Sequence, residues 1–390
     1  MRDTAEWILF RGLRGAEDAG ALVTLAERYG LSGNLWQAYL CHALLTHENP
    51  WSLACEGRGE PEGSLSALAA RDMGRILSLF RGDAPLDVPE LLDYRPAAAK
   101  SGAARVTEAL REALNAAESA ADAARALADA YRRHGAGIYA LHRAFRLAAD
   151  GTPDPVPEAA EPLSVLVGYE EQKAKLRANT EAFLAGRSAN NVLLYGDAGT
   201  GKSTCVRALT TEYPDSLLRV IELPKDRLTL LPGLADRLGA RRCRFLLFLD
   251  DLSFEEDETA YKQLKASIEG GLAALPENVR IYATSNRRHL IRETWKDRTD
   301  MEHDGDVHRS DTMEEKLSLS ARFGLRIYFP NPSFQEYHAI VEALASRRGV
   351  DGKALAQAAS AWQVRQGSRS GRTAKQFVDD YMSKSDNLQK

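Results

Sequence analysis

The sequence predicts an all-helical N-terminal segment, then an α/β core on a parallel sheet, then a small helical lid. Three observations carry this reading. Residues 1–150 look helical throughout, with apolar residues at helical spacing. The stretch DGTPDPVPEAAEP, residues 150–162, then breaks all periodicity with four prolines and no aromatic residue. Beyond it, short apolar runs alternate with helical segments, as in a parallel sheet covered by helices.

In chain order, Asp18–Tyr29 and Leu65–Phe80 read as amphipathic helices. The span Ala103–Ala149, rich in Ala, Leu, Arg and Glu, reads as two more, separated at Gly135 and Gly137. Such faces ordinarily pack as core rather than as partner grooves. No repeat of about 34 or 40 residues recurs, which argues against a solenoid. The proline-rich stretch reads as a linker. The division is therefore a helical domain over 1–150, a linker over 151–162, an α/β core over 163–332, and a helical lid and tail over 333–390. Within the core, Asn191–Tyr195, Leu217–Glu222, Phe245–Asp250, Arg280–Thr284 and Leu325–Phe329 read as strands.

Charge and cysteine usage exclude several classes. Net charge is −4, with 17 Lys+Arg against 20 Asp+Glu in residues 1–150 and 34 against 35 in the rest. Neither half carries the basic excess of nonspecific nucleic-acid binding. Cys41, Cys55, Cys205 and Cys243 are far apart and without CxxC spacing, so buried thiols are expected rather than disulfides or a zinc site. No long apolar run marks a signal peptide or a membrane span, and a cytoplasmic location is the expectation.

The chemistry begins at residues 196–203, GDAGTGKS, a full G-x-x-x-x-G-K-[ST] match after the apolar run VLLY and before a helical segment, Thr204–Thr211. Gly196, Asp197, Ala198, Gly199, Thr200, Gly201 and Thr204 then belong to a loop whose backbone N–H groups wrap phosphates at a helix N-terminus. Lys202 is expected on the β- and γ-phosphates and the Ser203 hydroxyl on Mg²⁺. The run FLLFLDD supplies the acids. Asp250 closes an apolar strand, where a carboxylate holds the metal; the plainer reading is a helix cap. Asp251 is the candidate to polarise water. Glu255 and Glu256 read as acids opening a helix, where the dipole favours them.

Three more residues extend the site. Asn286 follows the strand IYAT, from where a polar group reaches the γ-phosphate; the alternative is an ordinary turn residue. Arg322 stands just before the strand run at Leu325 and reads otherwise as a surface charge. Arg372 opens the last helix, where a cation opposes the dipole unless an anion is near.

Together these motifs resemble the AAA+ ATPases, over residues 163–381. GDAGTGKS is similar to Walker A, FLLFLDD to Walker B, ATSN to sensor 1, SARFG to the arginine-finger segment and SGRTA to sensor 2. LVGYEEQK, which contains Gly168, resembles the segment beside adenine. The wording is most similar to bacterial ATPases of domain-of-unknown-function family 815. The resemblance implies a parallel five-stranded sheet in the order 5-1-4-3-2 with a helical lid. It also implies ATP and Mg²⁺ as cofactors, and a homo-oligomer, with a hexamer the size entertained. Arg322 would reach a neighbour's γ-phosphate, and Arg372 the phosphate of its own subunit. The implied activity is ATP hydrolysis that remodels or loads a protein or nucleic-acid client, away from membranes. Two departures stand out. Many relatives end Walker B in Asp-Glu, and here it ends in Asp-Asp. The segment LPKDRLTLLPGLADRL lacks the aromatic-apolar-Gly pore loop of unfoldases.

The remaining features stay open. The polar stretch 291–311 carries His303, Asp304, Asp306, His308 and Asp311 without a familiar metal-ligand spacing, and Trp295 as a candidate contact to a neighbouring subunit or substrate. The competing functional readings are a slow or non-hydrolysing ATP-dependent switch that presents the helical domain, and a small-molecule or nucleotide kinase, for which no acceptor-site motif is recognisable.

Overall fold

Residues 18–82, 88–98, 101–159, 161–253, 264–268, 275–286 and 319–388 are described by the structure, a computed structural model. They fall into two compact units. The first takes in the described residues up to Arg143 together with 215–219 and 240–244, and the second takes in the rest.

The first unit is helical. Its helices are α1 (Ala19–Tyr29), α2 (Leu35–Thr46), α3 (Pro50–Arg58), α4 (Ser64–Arg81), α5 (Gly102–Ala116), α6 (Ala120–His134) and the single turn α7 (Ile138–Leu141). Side-chain caps mark the starts of all but α4 and α7, which begin after glycines. Asp18 accepts from Gly20 N, Asn49 and Ser52 form a capping box on α3, and Ser119 and Asp122 form another on α6. The core gathers Trp36, Trp51, Met73, Phe80, Leu127 and Tyr131. Trp51 meets Tyr131 edge-to-face at 5.8 Å, and the Tyr131 hydroxyl donates to the Leu44 carbonyl at 2.6 Å. The turn 240–244 is tied in by Arg241, which donates to Glu56 at 2.7 Å, to Glu48 at 2.6 Å and to the Ala136 carbonyl at 2.6 Å. Glu56 is fully buried, so this ion pair is the type whose breakage leaves an uncompensated charge inside.

The second unit is built on a sheet of β1 (Ala144–Leu147), β2 (Pro153–Pro155), β3 (Val192–Gly196), β4 (Leu218–Glu222), β5 (Arg244–Leu249), β6 (Val279–Ser285) and β7 (Leu325–Phe329). Their order across the sheet is β2-β1-β4-β5-β6-β3-β7. The five expected strands, β4, β5, β6, β3 and β7, keep the expected sequence of neighbours, and each lies within a residue of its sequence-read run. The expected five-stranded sheet is corrected to seven, because β1 and β2 extend the β4 edge. β1 pairs parallel with β4, and β2 returns antiparallel on β1, with Phe145 opposite Pro155 and Leu147 opposite Pro153. β2 lies inside the proline-rich stretch. Proline donates no ladder hydrogen bond, so it is tolerated on an edge strand such as this one. β1 takes the last turn of what reads as helix: Gly135 and Gly137 end α6, and only four residues of strand follow α7.

Around the sheet lie α8 (Glu170–Leu184), α9 (Lys202–Glu212) and α10 (Leu231–Gly239). The segment expected as a lid holds α11 (Phe334–Ser346), α12 (Ala356–Gln366) and α13 (Gly371–Leu388), packed through Tyr337, Val341, Ala359, Phe377 and Val378. All four cysteines are buried and none forms a disulfide. Among the described residues no helix is long and apolar enough to cross a membrane. Glu255, Glu256, Trp295 and the candidate metal ligands of 291–311 lie outside the described residues.

Candidate functional site

β3 is buried along Val192–Leu194 and ends at Gly196, whose φ of 136° is open to glycine alone in practice. A Cβ there would lie 2.1 Å from the Phe329 carbonyl oxygen of β7, so the close approach of the two strand ends requires glycine. Residues 197–201 then turn back into α9, with Gly199 and Gly201 at φ of 78° and 91°. Thr200 Oγ1 donates to the Asp197 carbonyl at 2.9 Å and closes the turn. Thr204 is exposed on the first turn of α9.

Lys202 is buried and spans the loop. Its Nζ donates to the carbonyls of Gly196 at 2.8 Å and Asp197 at 2.6 Å, and to Asn286 Oδ1 at 3.0 Å. Burial lowers its pKa; Asp197, Asp251 and Asp250 oppose that shift, and Arg372 reinforces it. The ammonium is therefore held by two loop carbonyls and the Asn286 amide oxygen, in a place suited to an anionic ligand.

The two aspartates diverge. Asp250 Oδ1 accepts from Ser203 Oγ at 2.5 Å and from Thr284 Oγ1 at 2.7 Å, while Oδ2 accepts from Arg207 at 2.7 Å. Asp251 is exposed and sits at φ 52°, in the left-handed region. Its backbone N–H donates to Thr284 Oγ1 at 2.9 Å, and its Oδ1 accepts from Asn286 Nδ2 at 2.8 Å. Asn286 thus joins Lys202 to Asp251. Ser203 and Asp250 offer hard oxygen donors side by side, a set that fits Mg²⁺. The glycine turn, opening onto the N-terminus of α9, fits a phosphate chain.

The lid and the segment before α8 reach the same end of the sheet. Arg372 N donates to the Gly199 carbonyl at 3.3 Å, which seats the start of α13 on the loop. Gly168 has φ 80° and precedes Tyr169, whose ring lies 5.0 Å from Phe329 and whose hydroxyl donates to the Pro330 carbonyl at 2.8 Å. Asn331 N, at the entry to the lid, donates to Asp197 Oδ2 at 3.2 Å.

Arg322 stands apart. It precedes β7, whose Leu325 pairs with Val192 at the start of β3, so it lies at the opposite strand ends from the loop. The distance is about one five-residue strand, roughly 16 Å. There it lines a cleft of about 270 Å³ with Arg280, Asn190, Asn191 and Gly324. The structure therefore gathers Gly168, residues 196–204, Asp250, Asp251, Asn286 and Arg372, and leaves Arg322 outside.

Sequence reasoning passed over Thr284, which sits between the two acids, and Arg207 on Asp250. Arg207 lies four residues after Ser203 on α9, hence on the same helical face, and that spacing is a usable signal.

A family model described as a protein of unknown function, DUF815, matches residues 140–385. The chain belongs to this family. The DUF815 match takes in every residue of the site, from Gly168 to Arg372, and begins beyond most of the helical unit. No curated protein matches the chain. Among solved structures, the Holliday junction branch migration motor RuvB of Thermotoga maritima is similar at 16% identity, over 57% of this chain and 72% of that one, with a TM-score of 0.34. A single-residue variant of the same RuvB gives 17% identity, the same coverage and a TM-score of 0.35.

Proposed function

We propose that the protein is a Mg²⁺-dependent ATP hydrolase of the AAA+ type that works as a homo-oligomer and remodels or loads a macromolecular partner. The observation that carries the hydrolase reading is the convergence of Lys202, Ser203, Asp250, Asp251 and Asn286 at the finishing ends of β3, β5 and β6. Lys202 exchanges its loop carbonyls for the β- and γ-phosphates, and the loop N–H groups take the remaining phosphate oxygens. Ser203 and Asp250 would hold Mg²⁺, which when bound would supply charge neutralisation at the phosphoryl group. Asp251 accepts a proton from the attacking water and Asn286 orients both, in keeping with its two side-chain hydrogen bonds. Arg372 senses the phosphates through the lid, and Gly168 borders the base.

The remote position of Arg322 supports action on the nucleotide of a neighbouring copy, because its own loop lies a strand length away. The partner, protein or nucleic acid, is one that assembly-dependent turnover serves. The test is phosphate release from Mg²⁺-ATP across a range of protein concentrations. Specific activity rising with concentration, and lost in Lys202→Ala, is the expected result. No phosphate release over hours, with ATP bound, would favour the switch reading.

A further inference from the structure

Charged side chains alternate in sign along the finishing ends of β1, β4 and β5. Arg146 on β1 pairs with Glu222 Oε1 on β4 at 3.2 Å, and the two are register partners in the sheet. Glu222 Oε2 lies 3.6 Å from Arg207 on α9. Arg207 in turn donates to Asp250 Oδ2 at 2.7 Å, and its guanidinium lies 5.6 Å from the centroid of the Phe248 ring on β5.

We propose that Arg207 is a positioning residue for Asp250, and that Glu222, steadied by Arg146 of the added strand β1, sets how strongly Arg207 grips it. This rests on the reading of the site as a Mg²⁺-ATP site. A carboxylate turns freely about its Cβ–Cγ bond unless both oxygens are engaged. Ser203 and Thr284 take Oδ1, so Arg207 on Oδ2 is what fixes the plane and keeps Oδ1 toward Ser203. Its planar fork and its place over Phe248 suit it to this better than a lysine. The same guanidinium charge opposes a cation at Asp250, and Glu222 draws part of it away. Metal affinity is then a balance between a fixed carboxylate and a shared charge.

The test uses the full chain saturated with a non-hydrolysable ATP analogue. Mn²⁺ binding is measured by electron paramagnetic resonance, and analogue binding without metal is measured separately. Outer partners of metal ligands are worth about 10–100-fold in metal affinity, and the half-exposed Arg207 belongs at the low end. Arg207→Gln should weaken Mn²⁺ about tenfold while metal-free analogue affinity stays within about twofold. Arg207→Lys should recover part of the loss, and Glu222→Gln should weaken Mn²⁺ by about threefold by leaving more charge on Asp250. Unchanged Mn²⁺ affinity in Arg207→Gln would overturn the proposal. So would equal losses for metal and metal-free analogue that lysine does not recover, since that pattern marks a general folding role. If the unaltered chain binds neither analogue nor metal, the Mg²⁺-ATP reading itself fails.

Discussion

Asn286 holds Lys202 with one end of its amide and Asp251 with the other, at 3.0 and 2.8 Å. The end of β6 thereby links Lys202 of the glycine-rich loop to the candidate base. Asp251 itself sits at φ 52°, where Asp and Asn are far better tolerated than longer side chains. That backbone suits an aspartate: the short side chain fits the left-handed conformation, and Asn286 rather than side-chain length delivers the contact.

From this follows an ordering of variants. Asp251→Asn keeps the backbone preference and the hydrogen bond but removes the base, so turnover should fall by about 10²–10⁴-fold with ATP-analogue binding retained. Asp251→Glu should also lose turnover, because it sets a longer side chain on a strained backbone; a gain in single-turnover phosphate release would show that reach, not conformation, limits the site. Asn286→Ala should resemble Asp251→Asn in turnover and weaken analogue binding only slightly.

Arg322 should act between copies. Arg322→Ala is expected to lower turnover by about 10³-fold or more while leaving nucleotide affinity unchanged. Mixing it with Lys202→Ala, itself inactive, should restore part of the activity, since an Arg322→Ala site beside a Lys202→Ala copy receives that copy's arginine. A mixture as inactive as its components would place the arginine's effect within one chain.

The central strands are legible because buried parallel strands read as near-continuous apolar runs, as FLLFL and VLLY do. The phosphate loop is legible because glycine spacing, lysine and serine are read in one stretch. β1 and β2 are not, being four and three residues long, and prolines argue against a strand until its edge position is known. The Arg207–Asp250 pair joins residues 43 apart, and only the packing of α9 on β5 brings them together. Arg322 was legible as a candidate, but its distance from the loop follows from strand direction, which no single run displays.

The lid contact gives a third test. A Cβ on Gly199 would lie 2.8 Å from Ser370 Oγ and 3.1 Å from Arg372 Cβ, whereas one on Gly201 would meet nothing within 4 Å. Both have positive φ, so alanine strains either backbone by about 1–2 kcal/mol. Only Gly199→Ala should also push α13 off the loop. Hydrogen exchange at amides 372–376 should quicken in Gly199→Ala and not in Gly201→Ala. Equal behaviour would mean that the lid does not rest on the loop in solution.

The helical unit should lose stability in mild acid. Burial is the main cause that lowers both His42 and His142 to about 4; His142 and Arg28 add to it at His42, and Arg28 and Arg219 at His142. The Tyr29 ring lies tilted against both imidazoles, with centroids at 5.0 and 5.6 Å. Unfolded histidines titrate near 6.5. Between about 6.5 and about 4 the unfolded chain binds protons that the folded unit refuses, so the stabilisation is complete above that window and falls as pH drops through it. The slope is at most about 1.4 kcal/mol per pH unit for each histidine. Denaturant midpoints of the helical transition at pH 7.5, 6 and 5 should therefore decrease, and His142→Asn should flatten the decrease. Midpoints independent of pH in the unaltered chain would show that water reaches both rings.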